Sequence, residues 1–138
     1  MKIETIPSGA FATNCYILED QGTVLVMDPT GKAQRILDRL QGRVPLAIIL
    51  THGHFDHIGA VDELVRQFHC PVYVHPEDQI LLEDETLNSM AQMTAHVRSQ
   101  TRPLIEGTMK LGTIEFQVIE APGHTPGSVL IVIGQDCF

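Results

Sequence analysis

The hydrophobic pattern divides the chain into short apolar runs separated by polar turns. Asn14-Cys15-Tyr16-Ile17-Leu18 and Thr23-Val24-Leu25-Val26-Met27-Asp28 flank Glu19-Asp20-Gln21-Gly22, and two β-rich runs about a short Gly-containing turn predict a hairpin. Lys32 to Gln41 sets Ile36, Leu37 and Leu40 at helical spacing, and Gly42 ends the run. Leu46 to Leu50 is apolar throughout, the pattern of a strand covered on both faces. Between Ile58 and Phe68 the apolar positions Ile58, Val61, Leu64, Val65 and Phe68 mark an amphipathic helix. Pro71-Val72-Tyr73-Val74 predicts another strand. Pro76 suits the first turn of a helix, with Glu77 and Asp78 favourable at its positive end. Leu87, Met90, Met93 and Val97 space a further helix, Ile114 to Ile119 alternates with period two, and Ser128 to Ile133 reads as an apolar strand. Strands alternate with helices through the middle and hairpins lie toward the ends, which predicts α/β layering with a mixed sheet.

Length and composition narrow the class. The 138 residues suit a single domain, 1–138, and apolar and charged fractions of 43 % and 19 % fit a globular chain. A net charge of −8 without a basic cluster argues against nucleic acid as a partner. No apolar run approaches the ~20 residues of a membrane-spanning helix, and Met1-Lys2-Ile3-Glu4-Thr5 opens no signal-peptide pattern. Cys15, Cys70 and Cys137 share no metal-type spacing and read as free thiols, so a cytoplasmic location is expected.

The chemistry concentrates in His52-Gly53-His54-Phe55-Asp56-His57, directly after the apolar run 46–50. A loop at the C-terminal end of a strand is where open α/β sheets carry ligands. In extended backbone His52 and His54 face one side and can reach one ion, with Gly53 expected to let the chain turn between them. Asp56 and His57, at the helix entrance, point elsewhere and are better placed for a second ion. A second element, Ala121-Pro122-Gly123-His124-Thr125-Pro126-Gly127, frames one histidine with two prolines and two glycines, a rigid support for a ligand. His52, His54 and His124 then predict a three-histidine site with one position open, as in catalytic rather than structural zinc. Asp28 is either a residue that orients the histidine loop or a turn aspartate before Pro29. His75 reads as a capping or packing residue, Phe55 as packing, and His69 and His96 as surface residues on helices.

These two motifs, with Thr13-Asn14-Cys15-Tyr16 and Met27-Asp28-Pro29, resemble the metallo-β-lactamase-fold hydrolases, and within them the glyoxalase II-like (hydroxyacylglutathione hydrolase-like) group. The resemblance implies an αββα sandwich with mixed sheets. It implies a first zinc on His52, His54 and His124 and a second on Asp56 and His57, with iron or manganese as alternatives. It also implies a thioesterase in which metal-activated water attacks an acylglutathione-type thioester, with Asp56 as the catalytic carboxylate. An iron-dependent persulfide dioxygenase, a lactonase, or a non-catalytic metal-binding or assembly module are the competing readings. The group's bridging aspartate and last histidine are not reached by Phe138, so the second half is expected to be incomplete and the chain truncated, and the second ion, left with two protein ligands, is expected to bind weakly or not at all. Asp136 reads as part of a hairpin turn. The apolar strand 128–133 is then expected to leave an exposed edge, through which the chain could oligomerise.

Overall fold

A computed structural model describes residues 1–8, 12–83 and 97–138. Six strands form one sheet in sequential order: β1 (Lys2–Ser8), β2 (Thr13–Asp20), β3 (Thr23–Met27), β4 (Ala47–Ile49), β5 (Val72–Val74) and β6 (Thr101–Pro103). The first three run antiparallel, and β3 to β6 run parallel. A second, antiparallel sheet holds β7 (Gly107–Leu111), β8 (Ile114–Glu120), β9 (Val129–Ile133) and β10 (Asp136–Cys137). The predicted hairpin is β2–β3, and the apolar run 46–50 is β4 with its flanks.

Period-two alternation sorts the side chains of the first sheet between two cores. Cys15, Ile17, Val24, Val26, Ile48, Leu50, Val72 and Val74 face α1 (Ala33–Leu40) and α2 (Val61–Phe68). Leu18, Leu25, Met27, Ala47 and Ile49 face the opposite way, onto Ile114, Phe116, Val118, Val129, Ile131 and Ile133 of the second sheet. A sheet buried on both faces needs apolar residues at every position, which is why the 46–50 run is unbroken. Phe116 sits at the centre of the inter-sheet core, only 2 % exposed. Phe116→Ala is expected to cost about 3–5 kcal/mol through lost burial and the cavity left behind. A urea denaturation midpoint equal to the parent's would contradict this packing.

Several boundaries differ from the sequence reading. The helix expected from Ile58 begins at Val61, because Phe55–His57 form a separate 3₁₀ turn that leads into it. Pro76–Asp78 is likewise a 3₁₀ turn, and α3 (Gln79–Glu83) follows it. Strands β1, β6, β7 and β10 were not anticipated. Of the helix expected over Leu87 to Val97, all but Val97 falls outside the described residues, as does His96. His69 ends α2 in a left-handed conformation and is exposed.

The expected bare edge of β9 is a correction. Asp136 and Cys137 pair with Ile133 and Val132, and Phe138 exchanges backbone hydrogen bonds with Ile131 at 2.9 and 3.0 Å. The Val129 N–H donates to the Thr51 carbonyl at 2.9 Å, so that edge is paired from Ile131 to Ile133 and tied to the histidine loop at Val129. What stands open is a face. Ile119 and Leu130 are cross-strand partners on the outside of the second sheet, 42 % and 41 % exposed. No helix covers that face among the described residues, so the layers seen are helix, sheet and sheet. None of the described helices is long and apolar enough to cross a membrane.

Candidate metal centre

Strand β3 ends at Met27, and Asp28 follows with a positive φ of 50°, a conformation that aspartate tolerates better than most residues. This turn aims a carboxylate, 3 % exposed, across the C-terminal end of β4. Asp28 Oδ1 accepts from the Thr51 N–H at 2.8 Å, and Oδ2 accepts from Thr51 Oγ1 at 2.6 Å. His57 Nδ1 lies 2.9 Å from the same Oδ2. Of the two readings of Asp28, the geometry supports the orienting one: it holds both ends of the histidine loop.

The proton on the Thr51 hydroxyl fixes a tautomer. A hydroxyl has one hydrogen, and this one goes to Asp28. Thr51 Oγ1 must therefore accept at its remaining contact, from His52 Nδ1 at 3.1 Å. With Nδ1 protonated, neutral His52 presents a bare lone pair at Nε2. That atom is buried and has no hydrogen-bond partner. A buried acceptor without a partner carries a desolvation cost, and a cation satisfies it.

His54 and His124 meet His52 at this point. His54 Nδ1 and His124 Nε2 lie 2.9 Å apart, and the His52 ring lies 5.2 and 4.8 Å from theirs, centre to centre. One ligand atom from each of the three falls within 4.8 Å of the others. These ring nitrogens, two of them drawn together and one orphaned, fit a single divalent ion. The site opens to solvent through His124, which is exposed on its loop, while His52 is buried. Burial, then the neighbouring His57 ring, pushes His52 down to about 4, which keeps it neutral and ready to ligate. His54 is also lowered, by burial and by His124. His57 moves the other way. Burial works against its charged form, but the hydrogen bond and charge of Asp28 outweigh it and raise its pKa.

A second donor set joins Asp28, His52 and His57. Asp56 belongs to neither three-residue set among the described residues. Its Oδ2 accepts from Thr13 Oγ1 at 2.9 Å and stands 3.6 Å from His57 Nε2. His57 thus turns one nitrogen to Asp28 and the other toward Asp56. A cavity of about 300 Å³ adjoins this corner, lined by Thr13, Asn14, Tyr16, His57 and Phe138.

Other residues settle into supporting places. His75 caps the 3₁₀ turn, accepting from the Glu77 N–H at 3.1 Å, and its Nε2 lies 2.9 Å from Glu120 Oε1. Phe55 is buried, 8 % exposed. Asp136 lies on exposed β10. Among the cysteines, burial pushes the Cys15 thiol up to about 12, whereas Cys137 is exposed. Iodoacetamide at neutral pH is therefore expected to alkylate Cys137 and spare Cys15, read by peptide mass spectrometry. Equal labelling of the two would mean that β2 opens in solution.

Fold and centre together define a class: a stack of two sheets that gathers histidines from two loops at one end of its strands. The chain belongs to the metallo-beta-lactamase superfamily, whose family model matches residues 8–136. It is 37 % identical over 136 residues to a probable metallo-hydrolase, YqgX, of Bacillus subtilis, an alignment covering 94 % of this chain and 64 % of that protein. It is 32 % identical over 140 residues to the hydroxyacylglutathione hydrolase GloC of Haemophilus influenzae, covering 94 % and 65 %. Among solved structures, the BLEG-1 B3 metallo-beta-lactamase superposes with a TM-score of 0.89 at 37 % identity, over 96 % of this chain and 67 % of that one. TTHA1623 in a di-iron-bound form gives 0.76 at 34 % identity, over 94 % and 66 %. The chain thus spans about two thirds of the length of these relatives.

Proposed function

We propose that this chain carries the first-metal site of a metal-dependent hydrolase that cleaves thioesters of the acylglutathione type. The observation that carries the reading is His52 Nε2, buried and without a hydrogen-bond partner, on a residue that groups with His54 and His124. A divalent ion held by these three residues supplies Lewis-acid polarisation of a carbonyl and makes a water more acidic. The chain's own groups do the rest. Asp28 and Thr51 hold His52 in its ligating tautomer. Asp56, steadied by Thr13, stands beside His57 Nε2, where it can take a proton from water or help hold a second ion. A thiol is acidic enough to leave as the thiolate, so the site needs no strong general acid. The identity to GloC supports a thioester as the substrate, and the identity to the BLEG-1 B3 metallo-beta-lactamase makes a lactam its competitor. The di-iron form of TTHA1623 keeps iron beside zinc as a candidate metal.

The test is a thiol-release assay on the protein expressed from its complete reading frame, loaded in turn with zinc, iron(II) and manganese(II). Release of thiol from an S-acylglutathione, lost in His54→Ala, is the expected result. Oxygen consumption with a persulfide, or turnover of a lactone or a β-lactam with no thioester cleavage, would replace this reading.

A further inference from the structure

Asp78 is fully buried, at 0 % exposed, and its partners are the two metal-binding loops. Oδ2 accepts from the Gly53 N–H at 2.9 Å, between His52 and His54. The same oxygen accepts from Thr125 Oγ1 at 2.5 Å, and Oδ1 accepts from the Gly127 N–H at 2.7 Å, both just after His124. One side chain therefore ties together residues 53 and 125–127, which are far apart in sequence. Both oxygens act as acceptors, which suits an ionised carboxylate, and bonds of this charged kind are the stronger ones.

The glycines of both motifs are shaped around this residue. A Cβ on Gly127 would lie 2.7 Å from the Asp78 backbone nitrogen and 2.8 Å from its Oδ1. A Cβ on Gly53 would lie 3.0 Å from Leu81 Cβ and 3.1 Å from the Asp78 carbonyl. The 3₁₀ turn that carries Asp78 is anchored in turn by His75, whose Nε2 meets Glu120 at the foot of the second loop.

We propose that Asp78 is a positioning residue that sets the separation of the His52–His54 loop from the His124 loop, and so the affinity of the first ion. The inference rests on the reading of these three histidines as ligands. A donor set that must meet from two loops binds well only if its spacing is fixed before the ion arrives. Asp78→Asn puts an amide NH₂ against at least one N–H donor and relaxes that spacing.

The experiment is zinc titration against a chromophoric chelator, with the cobalt(II) absorption spectrum as a second readout, on folded parent and variant. Asp78→Asn is expected to lose about ten- to hundredfold in zinc affinity, the range found for residues that hold metal ligands in place, and to shift the cobalt spectrum. Thr125→Val removes one of the three donors and should lose affinity in the same direction, while Thr125→Ser restores it. This pair decides the matter if Asp78→Asn does not fold. A purely structural Asp78 would lower the melting temperature and leave the zinc affinity and cobalt spectrum of the folded variants unchanged, which overturns the proposal. A parent chain that binds no zinc overturns both this inference and the metal-site reading. A parent that binds, with variants that bind equally well, overturns this inference alone.

Discussion

Replacing His124 by alanine is expected to weaken zinc binding about a hundredfold while the fold stands. The loop that carries it is exposed at Pro122, Gly123 and His124, so truncation removes a donor without opening a cavity. Structural zinc sites with four protein ligands are worth about 10–16 kcal/mol in apparent binding free energy, a scale of about 3 kcal/mol per donor, and each ~1.4 kcal/mol is tenfold, so losing one of the three histidines here corresponds to about a hundredfold. His54→Ala should lose a similar amount. His57→Ala should spare this ion, because its Nδ1 is committed to Asp28 and its Nε2 lies toward Asp56. Chelator competition on the three variants ranks them directly. Parent-like affinity in His124→Ala, with a large loss in His57→Ala, would move the ion to the set of Asp28, His52 and His57.

That ranking tests a site whose parts were unequally legible in the sequence. The candidate ligands stood out because their chemistry is local: three histidines and a carboxylate share one loop, and prolines and glycines frame His124. Asp78 did not stand out. Its partners lie 25, 47 and 49 residues away, and a carboxylate after Pro76 already has a sufficient local reason at a helix start. Gly53 shows the same limit. Its expected role was to let the backbone turn, yet it is absent from the residues with positive φ, and the close approach of Asp78 and Leu81 accounts for it. In the fold, central strands announced themselves because burial on both faces demands unbroken apolar runs. Edge strands such as β1 and β10 escaped notice because a half-exposed strand is mostly polar, and β10 pairs only two residues. The apolar run 128–133 misled in one respect. It looks like β4, but Leu130 faces solvent on an uncovered sheet rather than a second core.

The metal-free chain is expected to be most stable near pH 6.5 and to lose about 3 kcal/mol on acidification toward pH 4. His52 supplies the acid limb. It is neutral and buried when folded, with its pKa held at about 4 against an ordinary 6.5. Between those values the unfolded chain binds a proton that the folded chain does not, so stability falls with falling pH. A gap of this size corresponds to about 3 kcal/mol at ~1.4 kcal/mol per pH unit. His54, also lowered, adds in the same sense. His57 supplies the opposite limb. Its folded pKa lies above 6.5, so its contribution is complete below 6.5 and disappears as pH rises through the folded value. Urea denaturation of the chelator-treated chain across pH 4 to 8 should therefore pass through a maximum. His52→Gln, which cannot titrate, should flatten the acid side and leave the alkaline side as it was. Parallel profiles for parent and variant would mean that His52 is solvated in the metal-free chain, and that the bare lone pair on which the metal site depends is not held in place before an ion binds.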